Sequence, residues 1–489
     1  MFAPTAGAFA AGVSSAGSAP LMNRLSKKLV STWAEQGPRF LPFADVATAD
    51  LPLSRLLRLS LFQVSVGMAS VLLVGTLNRV MIVELGVPAT LVAVMISLPL
   101  LAAPFRAMIG FKSDTHASAL GWRRVPYIWK GTMLQFGGLA IMPFGLLVVS
   151  EGGNRLGGPI WIGWLGAGLA FLLTGAGLHT VQTVGLALAT DLVAEESQPR
   201  VVGLMYVMLL VGMIASAIIY GALLQNFTDG RLIQVVQGSA VATIVLNILA
   251  IWKQEVRDPN KTREGREEPS FRESWDSFVE GSGAIRRLIA VGLGTMAFTM
   301  QDVLLEPYGG QVLGLSVAST TRLTATLSLG GLLGFLLASR VLGRGGDPFR
   351  MSSYGALVGI PAFSFVILAA PFQAPLLFFT GTFLIGFGSG LLSHGTLTAT
   401  MNHAPEKQRG LALGAWGAVQ ASAAGIAVAF GGIVRDVVNG MSAANMFGRS
   451  LSGPATGYSL VYSVEIVMLI VTLLSMIPLI RRLPQRVTA

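Results

Sequence analysis

Long runs of apolar residues follow one another along almost the whole chain, separated by short polar connections. Each run is long enough to cross the roughly 30 Å hydrocarbon core of a bilayer as an α-helix. The pattern predicts twelve spans, over residues 58–82, 89–111, 125–149, 160–190, 200–225, 232–252, 286–308, 317–341, 351–370, 374–402, 409–438 and 457–480. A charged segment after the sixth span divides them into two sets of six.

The composition agrees with a membrane protein and excludes a soluble enzyme. Of the 489 residues, 53% are hydrophobic and 12% are charged, whereas soluble proteins carry about 25% charged residues. The 59 glycines fit the enrichment of glycine in transmembrane helices. Because the chain has no cysteine, disulfides, thiolate metal sites and cysteine nucleophiles are excluded. We therefore predict an all-α polytopic membrane protein.

The spans imply five segments along the chain. We expect a cytoplasmic tail over 1–57, a six-helix half over 58–252, a cytoplasmic linker loop over 253–285, a second six-helix half over 286–480 and a cytoplasmic tail over 481–489. In the first tail, apolar residues from Leu21 to Trp33 recur at helical spacing beside basic ones. That pattern fits a short helix on the membrane surface or a solvated basic tail.

The distribution of basic residues orients the spans. Lys and Arg number 34 against 24 Asp and Glu. If both termini lie on one side, that side holds 25 of these basic residues and the opposite side holds three. The positive-inside rule then makes both termini cytoplasmic. The net charge of +10 fits anionic lipid headgroups, so it does not indicate nucleic acid.

The two sets of spans also resemble each other in sequence. Residues 190–200, after the fourth span, align with residues 400–409, after the tenth, with one gap. Leu85–Pro88 between the first two spans parallels Leu313–Ser316 between the seventh and eighth. Two parallel six-helix halves joined by a charged loop are the organisation of the major facilitator superfamily. We predict a bundle of twelve transmembrane helices with that fold.

Several reaction classes have no motif in the chain. Neither the glycine-rich lysine motif that holds ATP phosphates nor the paired-histidine motif of zinc hydrolases is present. Gly386, Gly388 and Gly390 lie inside an apolar span, as do Gly330 and Gly334, and their spacing favours close helix packing. We therefore predict no catalytic residues, no resident metal and no enzymatic activity.

Ionisable and polar groups inside the spans are the first candidates for function, because charge buried in hydrocarbon is costly unless it is paired or used. Spans 1 and 7 carry a cluster of such groups, namely Asn78, Arg79, Glu84, Gln301, Asp302 and Glu306. Asp302 and Glu306 are four residues apart and should share a helix face. We expect Arg79 to pair with either carboxylate, forming a substrate or proton site, or an ion-pair latch between the halves. Arg106 in span 2 is expected to extend to the headgroups.

Two histidines occupy matching spans of the two halves. His179 lies in span 4 and His394 in span 10. A neutral imidazole inside a membrane is a suitable axial ligand for the magnesium or iron of a tetrapyrrole, and it is also a common packing residue. Packing is the more common role for either histidine alone, and their equivalent positions in the two halves slightly strengthen the ligand alternative.

Longer runs point to a narrower family. The runs Asn78–Pro88, Pro104–His116, Ala119–Trp129, Gln301–Gly310, Leu41–Asp45 and Leu56–Met68 resemble the PucC/LhaA family of purple phototrophic bacteria. The resemblance covers roughly residues 40–480. It implies a major-facilitator-like factor for assembling light-harvesting antennas, and the LhaA type, which serves the core antenna, is favoured over the type that serves the peripheral antenna.

The same resemblance implies cargo, partners and location. The cargo would be bacteriochlorophyll, transiently bound, with carotenoid as a further candidate. The partners would be the antenna α and β polypeptides, the reaction centre–antenna complex and bacteriochlorophyll synthesis enzymes. The location would be the bacterial inner membrane, cytoplasmic or intracytoplasmic.

We expect a histidine to ligate magnesium weakly enough for handover to an antenna polypeptide. Trp122, Tyr127 and Trp129 are expected at the cytoplasmic interface, where they anchor a helix or stack on a ring. Two alternatives stay open. One is an ion-coupled secondary transporter of a small solute, and the other is a pigment-free scaffold for nascent antenna helices.

Overall fold

The computed structural model describes residues 52–101, 106, 109, 112–113, 121–149, 160–194, 197–255, 283–403, 409–448 and 453–480. The surface helix predicted in the N-terminal tail, nearly all of the predicted linker loop and the C-terminal tail lie outside these residues. The predicted division into segments therefore stays a prediction there.

The described residues form helices and contain no strand. The helices are α1 Leu53–Glu84, α2 Ala89–Leu101, α3 Val125–Val149, α4 Ile160–Asp191, α5 Gln198–Leu223, α6 Asp229–Ile251, α7 Ala284–Gln311, α8 Val317–Leu342, α9 Pro348–Ala369, α10 Pro375–His403, α11 Arg409–Ala443 and α12 Ala455–Met476. Eleven of them, within the described residues, are long and apolar enough to cross a membrane. The exception is α2, beyond which Arg106, Ile109 and residues 112–113 are again helical. The predicted all-α architecture is confirmed.

Helix α1 begins earlier than the predicted span, at Leu53, within the segment 1–57 that we expect to be the tail. Pro52 occupies the N-cap position with an extended backbone, and the helix starts at the next residue. Two arginines in the first two turns of α1 bind carbonyl groups just after the end of α6. Arg55 donates to the Gln254 carbonyl at 2.9 Å, and Arg58 donates to the Trp252 carbonyl at 2.9 Å.

Helices α1 and α7 both depart from regular α-geometry. The end of α1 is π-helical over Val71–Leu77 and Val80–Glu84. Helix α7 is α-helical to Thr299, passes through a 3-10 turn at Met300–Val303 and resumes at Leu305. Such interruptions are frequent at functional sites. They coincide with the polar cluster predicted in these two spans.

Glycine allows the closest helix contacts, as the sequence predicted. Helices α8 and α9 both pack on α10. A Cβ at Gly386 would overlap with the Leu327 carbonyl oxygen of α8 and would lie 3.0 Å from the Gly331 nitrogen. Both neighbours are backbone atoms, so the contact requires glycine. The packing role proposed for Gly386 is confirmed.

The two sets of six helices meet along α2 with α11 and α5 with α8. Side-chain hydrogen bonds join them near the α1–α2 and α7–α8 connections. The backbone nitrogen and the hydroxyl of Thr90 both donate to Asp436 Oδ2, at 2.6 and 2.7 Å. The hydroxyls of Thr76 and Thr321 lie 3.4 Å apart. This end of the bundle is therefore closed by direct contacts.

Candidate functional site

The break in α7 holds three of the predicted polar residues. Gln301 Nε2 donates to Asp302 Oδ1 at 2.5 Å. Glu306 Oε1 accepts from the Thr324 hydroxyl of α8 at 2.9 Å, and its Oε2 is buried without a hydrogen-bond partner among the described residues. Because a 3-10 turn separates them, Asp302 and Glu306 do not share the regular helix face that their spacing predicted.

Arg79 does not pair with either α7 carboxylate, which corrects the prediction. Its guanidinium forms an ion pair with Glu84, on the same helix, and donates from Nη2 to the Leu315 carbonyl at 3.1 Å. Leu315 lies in the α7–α8 connection, so Arg79 still contacts the other half. Asn78 makes a second such contact, from Nδ2 to the Asp302 carbonyl at 3.4 Å. The geometry matches the latch more closely than a site open to a solute.

A cavity of about 360 Å³ lies between the two halves. We call it the central cavity. Its lining combines polar and apolar side chains from seven helices and the segment following α2, including Arg106, Gln182, Tyr206, Met213, Phe298, Gln301, Asp302, Ser328, Ser389, Leu392, Ser393, Trp416 and Gln420. Gln301 and Asp302 are the two members of the predicted polar cluster that line this cavity.

Arg106 lies in the central cavity and does not extend to the headgroups as predicted. Its Nε donates to Thr183 Oγ1 at 3.1 Å and its Nη2 donates to Gln182 Oε1 at 3.0 Å. Both acceptors belong to α4, so the side chain turns inward along the interior of the first six helices. The acceptors on α4 determine the direction of the Arg106 side chain, and the sequence of span 2 alone does not reveal them.

Both candidate pigment ligands are partly buried inside the bundle. The Nδ1 atoms of His179 and His394 are buried and have no hydrogen-bond partner among the described residues. The His394 ring packs on Phe335 of α8 with centroids 4.1 Å apart. Each imidazole therefore has an unpaired nitrogen, which fits an axial ligand of a tetrapyrrole, although this nitrogen is closed off from the surface in this conformation. No described group of three or more His, Cys, Asp or Glu could hold a metal ion.

An apolar groove of about 550 Å³ opens on the outer surface of the second six helices. We call it the outer groove. Helices α8 and α9 form its walls and α10 its floor, through Leu337, Val341, Met351, Tyr354, Leu357, Val358, Pro361, Leu384, Phe387 and Leu391. Tyr354 and Leu357 are each 51% exposed, so the groove faces the surroundings of the bundle. His394 follows Leu391 by about one turn of α10.

The three predicted interfacial aromatics surround the start of α3. Trp129 is 41% exposed, while Trp122 and Tyr127 are half-buried. Lys130 Nζ lies 5.3 Å from the Tyr127 ring centroid. This arrangement is typical of residues that anchor a helix end at a membrane interface.

Glu255, at the end of α6, holds the first turn of α3. Its carboxylate accepts from the backbone nitrogens of Arg123 at 2.7 Å, Arg124 at 3.0 Å and Val125 at 2.9 Å. Arg124 also donates to Asp191 Oδ2 at 3.0 Å, which ties α3 to α4.

Replacing Glu255 by alanine is expected to destabilise the protein by about 1–2 kcal/mol, because it removes a cap from a helix N-terminus. The thermal unfolding midpoint in neutral detergent measures the effect. Glu255→Gln is the matched control, since it keeps one oxygen acceptor and should lose less. Equal midpoints for the alanine variant and the wild type would contradict the capping role.

The sequence analysis missed several intramembrane charges. Glu465 of α12 is fully buried, and its Oε1 accepts from the Gln301 backbone nitrogen at 2.8 Å. Arg435 of α11 donates to Asp436 Oδ1 at 2.6 Å and to the Tyr458 hydroxyl at 3.0 Å. The criterion that selected Asp302, an ionisable residue within an apolar span, would have found all of them.

Comparison with known proteins identifies the family. A family model described as "PUCC protein" matches residues 76–483. Protein PucC of Rhodovulum sulfidophilum is 64% identical over 420 residues, which are 85% of this chain and 92% of that protein. Protein PucC of Cereibacter sphaeroides is 56% identical over 460 residues, covering 94% of this chain and 98% of that protein.

Solved structures confirm the major-facilitator-type fold. A bacterial homologue of the human lysosomal transporter Spinster superposes with a TM-score of 0.63 at 14% identity, covering 86% of this chain and 95% of that one. This likeness concerns the fold alone. The preference for the LhaA type stays a prediction, because the relatives above carry the PucC name. From the family match and these identities, the chain belongs to the PUCC protein family.

Proposed function

We propose that this protein is an assembly factor for light-harvesting antennas that binds bacteriochlorophyll and delivers it to antenna α and β polypeptides. The observation that carries the proposal is the outer groove, because its floor is α10, the helix that carries His394. The chain also matches PucC proteins over most of its length. Carotenoid is a further candidate cargo, because it is also a long apolar pigment.

The outer groove has the chemistry of a pigment site. A bacteriochlorophyll carries a flat macrocycle and a long apolar tail. A groove with apolar walls that is open to the lipid can accommodate both parts. The groove volume of about 550 Å³ lies within the roughly 300–1,000 Å³ of small-molecule sites. It is large enough for part of the pigment, with the tail extending into lipid.

His394 would contribute the magnesium ligand. Its unpartnered nitrogen is a neutral donor atom, and magnesium prefers oxygen ligands, so the bond is weak enough to release the pigment to an antenna polypeptide. His179, in the matching helix of the other half, is the second candidate.

The membrane context follows from the same proposal. The protein spans the bacterial inner membrane with both termini cytoplasmic, which places the α3 aromatics at the cytoplasmic interface. Its partners are the antenna polypeptides, the reaction centre–antenna complex and bacteriochlorophyll synthesis enzymes, with lipid around the bundle. The core antenna is the favoured client.

The test is to purify the protein in mild detergent from phototrophically grown cells, with antenna polypeptides shown to be absent. We expect near-infrared absorption from about one bacteriochlorophyll per chain, and a loss of about tenfold in His394→Leu, the cost of one ligand bond of about 1.4 kcal/mol. The control is His403→Leu, at the end of the same helix. A wild type that is colourless in this sample, but retains antenna polypeptides in a second preparation that contains them, would identify a pigment-free scaffold.

The central cavity favours a second candidate function, ion-coupled transport of a small solute, with Asp302 carrying the ion or proton. A deletion strain complemented with single variants separates the two functions. Delivery requires that His394→Leu lack antenna complexes while Asp302→Asn assembles them. The reverse pattern would favour transport.

A further inference from the structure

Arg106 differs from the paired arginines Arg79 and Arg435 because its hydrogen bonds go to neutral groups. Its recorded acceptors are the Thr183 hydroxyl and the Gln182 amide oxygen. No ion pair joins it to any carboxylate among the described residues. A guanidinium carries five N–H donors, so several remain for another partner in the central cavity.

An unpaired guanidinium in this position is energetically unfavourable. Arginine does not lose its proton in proteins, and the desolvation of a buried ion costs several kcal/mol unless a countercharge compensates it. Two other intramembrane arginines each form an ion pair with a carboxylate. Arg79 pairs with Glu84 and Arg435 pairs with Asp436.

We infer that the central cavity binds a small oxyanion, through a carboxylate or phosphate group held by Arg106. The planar guanidinium matches both groups in a bidentate geometry. The Tyr206 hydroxyl and the Gln420 amide line the same cavity and supply neutral donors. Leu392 and Trp416 provide apolar contacts to the rest of the ligand.

The size of the cavity separates this site from the pigment site. Its volume of about 360 Å³ is near the lower end of the roughly 300–1,000 Å³ of small-molecule sites. A complete bacteriochlorophyll exceeds it. The ligand is therefore a small acid, or the acidic headgroup of a lipid whose chains stay outside.

Asp302 provides a second test of anion binding, with an effect opposite to that of Arg106. It lines the same cavity, and its Oδ1 accepts from Gln301. In its ionised form, Asp302 places negative charge near the bound anion. Removing that charge should strengthen anion binding, whereas removing Arg106 should weaken it. The two variants therefore act in opposite directions on the same equilibrium.

The experiment measures the thermal unfolding midpoint of the full-length protein in neutral detergent, titrated with inorganic phosphate, with benzoate, and with sodium chloride at matched ionic strength. A ligand that binds only the folded state raises the midpoint with concentration. Parallel samples in nanodiscs of phosphatidylglycerol or phosphatidylcholine distinguish a lipid headgroup from a free anion. The variants are Arg106→Gln, Arg106→Lys and Asp302→Asn, and the control is Arg322→Gln, an exposed arginine of α8 outside the cavity.

We expect phosphate or benzoate to stabilise the wild type and Arg322→Gln, with binding about tenfold or more weaker in Arg106→Gln, the loss of charge-assisted hydrogen bonds. Arg106→Lys keeps the positive charge but loses the planar guanidinium with its paired N–H donors, so it should bind with intermediate affinity. This variant keeps the test valid if Arg106→Gln does not fold. Asp302→Asn should bind more tightly. Stabilisation by phosphatidylglycerol alone assigns the same site to a lipid headgroup. No stabilisation by any probe, equal stabilisation of Arg106→Gln, or weaker binding in Asp302→Asn would overturn the inference.

Discussion

Replacing Gly386 by valine is expected to force α8 and α10 apart and to destabilise the second six helices by about 3 kcal/mol, the upper range for overpacking. The added side chain would meet the Leu327 carbonyl and the Gly331 nitrogen, which are backbone atoms that no rotamer change can remove. The outer groove should be lost as well, because Leu384 and Phe387, which flank Gly386 in α10, form part of its floor.

The thermal unfolding midpoint of the purified variant measures the first effect, and its bacteriochlorophyll content measures the second. Gly238→Val in α6 is the matched control, since a Cβ at Gly238 meets nothing within 4 Å. It carries the same change of helix propensity without the steric contact. Equal midpoints for the two variants would contradict the requirement for glycine at residue 386.

The helices and their glycine contacts could be predicted because both depend on local sequence. An apolar run long enough to cross the bilayer has no alternative to a helix there, since its backbone must satisfy its own hydrogen bonds. Helix α3 runs from Val125 to Val149, as predicted, and α8 starts at Val317, as predicted. Glycine spacing within a span likewise identifies a close contact without identifying the partner helix.

The partner of Arg79 could not be predicted because the sequence was interpreted with regular α-helical spacing. At 3.6 residues per turn, a residue five positions later points about 140° away. The π-helical turns at Val80–Glu84 bring residues five positions apart closer to the same helix face, which brings Glu84 to Arg79. The direction of Arg106 was equally inaccessible, because its acceptors belong to α4.

Replacing Glu465 by alanine is expected to cost about 3 kcal/mol, because it leaves a cavity and removes the acceptor of a buried backbone donor. Glu465 is fully buried in α12, and its Oε1 accepts from the Gln301 nitrogen at 2.8 Å. Gln301 is in the 3-10 turn of α7, where regular helix bonding is interrupted. The carboxyl group therefore supports the backbone at the point from which Asp302 reaches the central cavity.

Glu465→Gln separates this structural contribution from a requirement for the acid. Glutamine has the same shape and keeps an oxygen for the Gln301 nitrogen, so its unfolding midpoint should lie close to that of the wild type. Both variants would be purified in neutral detergent and also tested for antenna assembly in the complemented deletion strain. If the glutamine variant is as unstable as the alanine variant, the hydrogen bond to α7 is not what Glu465 contributes. If it is stable but fails to support assembly, the function needs an ionisable group beside the α7 break, and the delivery mechanism must include a proton.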